Sequence, residues 1–135
     1  MHTHNIETRT EAQKIAVALL WLEDMRRQEK WNLTLDEACI LMGSVSRNTY
    51  KSWVRKAKNN NEVTLSRDTI TRLSLLLGIH KALALSAPQG YEFDFFKRPI
   101  DHPLFQGKSA KEQILIDSDI LFINAVRNHF DARRA

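Results

Sequence analysis

Repeatedly along the chain a Ser or Thr stands just ahead of an apolar pattern of helical period, and this restricts the fold more than any other feature of the sequence. A hydroxyl at that position accepts hydrogen bonds from the free N–H groups of a first helical turn, so each such residue marks a helix start. Thr10 precedes Ile15, Leu19, Leu22 and Met25, with Gln13 at the spacing of a reciprocal capping box. That pattern predicts a helix from near Thr8 or Thr10 to about Glu29. Thr34 and Ser46 open two short helices around a turn containing Gly43, and Asn59, Asn60 and Asn61 close the pair. Ser66 opens a long helix that Pro88 ends, with Ile70, Leu73, Leu76, Leu77, Leu83 and Leu85 as its apolar positions. Gly78, inside it, costs about 1 kcal/mol relative to Ala, so close approach by a neighbouring helix is the expected compensation. Ser109 with Glu112 forms a second capping box, and Asp117 to Asp119 stop that helix and cap a last one with Ile120, Ile123, Val126, Arg127 and Phe130 on one face.

The stretch YEFDFFKRP fits either a strand or a helical face. No second convincing strand exists to pair with it, and a lone strand would leave backbone groups unsatisfied, so a short helix is predicted. Pro99, Pro103 and Gly107 make 98–108 a loop, with Leu104 and Phe105 as anchors. The fold class is therefore all-α. A chain of 135 residues suffices for one ordinary domain, or for two very small ones sharing a core. The Asn run divides it into an N-terminal helix-turn-helix region, 1–62, and a C-terminal helical domain, 63–135.

Several function classes are excluded as expectations. The longest apolar stretch, Ile15 to Leu22, is too short to span a bilayer, and MHTHNIETRT lacks a basic segment followed by an apolar one, so a cytoplasmic protein without a membrane partner is predicted. Cys39 is the only cysteine, which forbids an intramolecular disulfide and suits a core residue in a reducing compartment. His2, His4, His80, His102 and His129 show no metal-ligand spacing, and no nucleophile elbow or glycine-rich phosphate loop is present. No catalytic residue, cofactor or metal is assigned, and a non-enzyme is expected.

The net charge of +4 is a weak signal, but its distribution is not even. From Ser46 to Lys58 the basic residues are Arg47, Lys51, Arg55, Lys56 and Lys58, without an Asp or Glu among them. A helix-turn-helix needs a small residue in its first helix, a Gly at the turn, and an apolar residue with Ser or Thr opening the recognition helix. Ala38, Gly43, Val45 and Ser46 fill those roles, with one residue more between Ala38 and Gly43 than is usual. The candidate DNA-binding residues are Ser46, Arg47, Asn48, Thr49, Lys51 and Arg55: Asn can read adenine, Arg guanine, and Lys or Thr can bond phosphate oxygens. The competing reading is a helical hairpin with a solvated basic face. One recognition helix reads few bases, so a homodimer on paired half-sites of operator DNA is expected.

Three segments in order, RDTITRLSLLLGIHKAL, HPLFQGKS and INAVRNHFDARRA, resemble the C-terminal toxin-binding domain of the Xre/MbcA/ParS antitoxin family. The N-terminal half is similar to that family's Xre-type helix-turn-helix, so the resemblance runs from about Thr10 to Ala135. It implies a type II toxin–antitoxin system, in which this chain binds a RES-domain toxin that degrades NAD, occludes its active site and represses its own operon. The family's C-terminal helix and tail act as the plug, which by position implies toxin contacts at Arg127, Asp131, Arg133 and Arg134. An Arg fork suits a cleft built for a phosphate-bearing nucleotide. The chain departs from the family in AKEQILIDSD, where a Pro and a Gly are common, and in ending RRA instead of with an Arg-Gly-Gly type tail. The alternative is a stand-alone transcription regulator whose C-terminal domain oligomerises.

Overall fold

The computed structural model describes residues 10–133. Among these the chain forms α1 (Glu11–Met25), α2 (Leu35–Leu41), α3 (Arg47–Lys58), α4 (Arg67–Ser86), α5 (Glu92–Lys97), α6 (Ala110–Ile116) and α7 (Ile120–Ala132), with a 3₁₀ turn, Pro103–Phe105, between α5 and α6. An isolated antiparallel bridge joins Pro99 to Ser109. The fold is all-α, and the stretch 91–99, ambiguous in sequence, is helical over Glu92–Lys97 as α5.

Local chemistry sets the helix starts. Thr10, Thr34, Ser46, Ser66 and Ser109 are the N-caps, each accepting from the backbone N–H three residues on. Thr34 also forms a full box with Glu37, whose carboxylate accepts from the Thr34 N–H at 2.9 Å. Asp119 precedes α7 as expected but makes no side-chain cap. Its N–H instead meets Asp117 Oδ1 at 3.3 Å.

Two expectations are corrected. Helix α1 ends at Met25 instead of near Glu29, because the backbone turns so that the Trp31 N–H reaches the Met25 carbonyl at 2.9 Å and Asn32 takes φ +55°. The turn drops the Trp31 ring into the core, fully buried and stacked on Phe96 with centroids 3.9 Å apart. Leu85 is 66% exposed, since it projects from the side of α4 opposite Leu76 and Leu83, which are buried.

Helix α1 packs on α3 and α4, α4 on α5 and α7, and α6 on α2, α5 and α7. Buried residues from both sides of the Asn run, such as Leu22, Trp31, Leu41, Leu76, Phe96 and Phe130, belong to one cluster. Each fully buried Leu, Ile or Phe contributes about 1.5–3 kcal/mol. Arg72, 12% exposed, ties the halves together. Its Nε donates to Asp68 at 2.9 Å, and its Nη1 donates to the Ser118 carbonyl at 2.6 Å and approaches the Leu41 carbonyl at 3.5 Å.

Candidate functional site

The helix-turn-helix begins with α2, which buries Ala38, Cys39 and Leu41. Burial pushes the Cys39 thiol up, away from the reactive thiolate. The chain then reverses through Gly43 at φ +104° and Ser44 at φ +61°. The Gly43 and Ser44 N–H groups return to the Ile40 carbonyl, and the Val45 N–H bonds to the Cys39 carbonyl at 3.2 Å, so the extra residue is absorbed in a left-handed helix stop. A side chain at Gly43 would press on Asp68 Oδ2 at 3.3 Å and Arg72 Nε at 3.4 Å, which places this turn against the start of α4.

Helix α3 buries Tyr50, Val54 and Ala57, holds Trp53 half-buried, and leaves Arg47, Asn48, Thr49, Lys51, Arg55, Lys56 and Lys58 exposed. The predicted DNA-binding residues do not have equal freedom. Ser46 and Thr49 are the cap itself: Ser46 Oγ accepts from the Thr49 N–H at 3.1 Å and donates to Thr49 Oγ1 at 2.9 Å. The Arg47 fork grips Asp36 through two bonds of 2.7 Å, and holds that carboxyl below the usual range. Lys51, Arg55 and Lys58 have no carboxylate partner among the described residues. Positions 47, 51, 55 and 58 fall on one edge of the helix, so the structure brings the basic residues together as a stripe.

Beneath that stripe lies a network that sequence reasoning missed. Tyr50 donates to Glu23 Oε1 at 3.0 Å, and Arg26 Nη1 donates to both Glu23 oxygens at 3.1 Å while its Nε bonds to the Leu33 carbonyl at 3.2 Å. Burial, with the Glu23 charge beside it, pushes the Tyr50 phenol well above its usual range, so it stays a donor. The i,i+3 spacing of Glu23 and Arg26 was visible in sequence, whereas the reach of Tyr50 from α3 to α1 had no local signal.

The predicted toxin-contact residues divide in a similar way. Arg127 lies across Gly78 of α4, and its Nε is 3.4 Å from Asp131 Oδ2, an i,i+4 ion pair without the alignment of a hydrogen bond. The close approach expected at Gly78 is therefore made by an arginine of α7. Arg133 is exposed at the end of α7, and Arg134 lies outside the described residues, as do His2 and His4. Arg133 borders a pocket of about 270 Å³ with Phe95, Arg98 and His129. His129 packs edge-on against Phe105, 5.0 Å between centroids, and its ring is held below the usual pKa by burial first and then by His102 and Arg133. Phe105 is fully buried and Leu104 half-buried, as anchors should be.

Among the described residues no cluster of His, Cys, Asp or Glu has a geometry suited to a metal ion, and no helix is long and apolar enough to cross a membrane. The chain is 36% identical over 110 residues to a protein of Sinorhizobium fredii (strain NBRC 101917 / NGR234) that bears the name uncharacterized protein y4oB, a match covering 81% of this chain and 79% of that one. No protein-family model and no solved structure matches it.

Proposed function

The chain belongs to the same family as the y4oB protein. On the resemblance of its three C-terminal segments, we propose that it is a type II antitoxin, which neutralises a RES-domain, NAD-degrading toxin through its C-terminal helices and represses its own operon through α2 and α3. The observation that carries this reading is the convergence of the three separated segments resembling the toxin-binding domain. Helices α4 and α7 pack together, Arg127 of α7 seats on Gly78 of α4, and Phe105 of the intervening turn packs against His129 and Phe130. In this reading Arg127 braces α7 on α4, and the toxin's cleft is met by Arg133, Arg134 and the end of α7 around Asp131.

The DNA-binding arm is supported by the stripe on α3, whose Lys51 and Arg55 form no ion pair among the described residues. Operator binding by a dimer then has the steep salt dependence of phosphate contacts, a slope of log affinity against log salt of about 0.9 per neutralised phosphate. The deciding experiment is co-expression with the protein of the adjacent reading frame, which this reading expects to be RES-like, following growth and NAD level. Growth and NAD are expected to recover in parallel with a stable complex. Unrelieved toxicity without a complex would discard the antitoxin, and retained operator binding in that case would favour a stand-alone regulator.

A further inference from the structure

Beside α3 lies a pocket that shares Lys51 and Arg55 with the proposed DNA-binding stripe but adds an apolar side that phosphate contacts along a duplex do not need. It opens between α1, the start of α2 and α3, has a volume of about 430 Å³, and is floored by Leu35, Val54 and Tyr50. That is the size of a site for a small organic molecule. Its charge is one-sided: Arg26, Lys51, Arg55 and Lys58 line it against a single carboxylate, Glu23. Glu23 is already engaged, since both its oxygens accept from Arg26 and one also accepts from Tyr50. Positive charge on Lys51, Arg55 and Lys58 is thus left facing a partly apolar cavity. A bare surface patch would lack the floor, and an ordinary core gap would lack the charge.

We propose that this pocket binds a small organic phosphate with a flat or apolar body, the size of a nucleoside monophosphate. The phosphate meets the ammonium groups of Lys51 and Lys58 and the fork of Arg55. The body lies on Leu35 and Val54, where the planar Arg55 guanidinium also offers a stacking face. A nucleic-acid backbone presents its charge along an exposed strand and needs no apolar surface beside the cations, whereas a compact ligand gains from both the cations and the apolar side of this open pocket.

Calorimetric titration of the full chain with the four ribonucleoside monophosphates, with adenosine and with inorganic phosphate tests this, and amide NMR shifts locate any binding. At least one monophosphate should bind with a dissociation constant below about 1 mM, about tenfold or more tighter than adenosine or phosphate alone. Its shifts should centre on 50–58 and Leu35. An Arg55→Ala, Lys58→Ala double variant should lose about tenfold or more in affinity at unchanged melting temperature, while Lys81→Ala, exposed on α4, binds as the parent does. Absence of saturation by any monophosphate, equal binding of inorganic phosphate, or shifts centred away from α3 would overturn the proposal, whatever the outcome with DNA or a toxin.

Discussion

A Cβ built at Gly78 falls 2.5 Å from Arg127 Nε and 2.8 Å from its Cδ, so the glycine provides the seat for that side chain. Replacing it by Ala recovers about 1 kcal/mol of helix propensity but forces Arg127 to move. Denaturant unfolding of Gly78→Ala, Arg127→Ala and the double variant separates the two effects. The glycine replacement should stabilise by about 1 kcal/mol when Arg127 is already gone, and by clearly less, or with reversed sign, when it is present. Equal effects in both backgrounds would mean that the contact carries no energy. At His80, aromatic packing is coupled to pH. Its ring is stacked on Phe93 at 5.9 Å and tilted against Trp21 at 5.6 Å, and burial holds its pKa below the ordinary 6.5, against a smaller upward pull from Glu92. His129 is shifted in the same direction. An unfolded imidazole therefore takes up a proton before the folded one does. Stability contributed by the neutral rings is complete above pH 6.5 and is lost as pH falls through the lower folded values. Melting temperature should fall over that window, and His80→Phe should flatten part of the fall; an unchanged slope would show that the aromatic cage is indifferent to charge.

The first turn of helix α3 is held by a cap and by an ion pair, and this decides which of its residues are available. Ser46 and Thr49 serve the cap, Arg47 serves Asp36, and Lys51 and Arg55 serve nothing within the described fold. The Arg47–Asp36 pair is 64% and 60% exposed, so it adds at most about 1 kcal/mol to stability. If α3 binds an operator as proposed, the pair's stronger effect is on that binding. Asp36→Ala should release the Arg47 fork and raise operator affinity, with a salt slope steeper by about 0.9, whereas Arg55→Ala should make the slope shallower by about the same amount. Slopes that do not change in either variant would remove α3 from the DNA interface. Helix starts such as Thr34, Ser46 and Ser66 were legible in the sequence because a cap and its target N–H lie three residues apart. The end of α1 was not, because burial of Trp31 is decided by its stacking on the distant Phe96. The basic stripe was legible as a run of residue types, but the engagement of Arg47 by Asp36 and the Tyr50–Glu23 bond depend on how helices meet. At the C-terminal end the sequence indicated a close approach at Gly78 but not which side chain makes it, since an apolar periodicity does not encode a polar residue lying across a neighbouring helix.

Because the buried residues of 10–62 and 63–133 form one cluster, neither half has a core to itself. Helix α1 rests on α4, α2 on α6, and Arg72 joins the carbonyls of Leu41 and Ser118 across the divide. Thermal unfolding followed by far-UV and near-UV circular dichroism should give one coincident transition, the latter reporting the packed Trp31. Arg72→Ala removes charge-assisted bonds worth about 1.5–3 kcal/mol and should lower that transition without splitting it. Two separate transitions would mean that the halves fold independently. The same unity governs how the C-terminal end can be tested. Truncation before Asn124 deletes Val126 and Phe130, buried at 0% and 3% exposure, along with the Arg127 brace. Each of those two side chains is worth about 1.5–3 kcal/mol, against a total stability of about 5–15 kcal/mol for a domain. Such a chain should lose its cooperative transition, and any loss of toxin neutralisation would then report unfolding. Arg133→Ala separates the possibilities, because Arg133 is exposed and follows the last buried residue of α7. It should melt with the parent while weakening the complex with a RES-domain partner by tenfold or more, about 1.4 kcal/mol. An Arg133→Ala complex as tight as the parent's would remove the end of α7 from the proposed inhibitory contact.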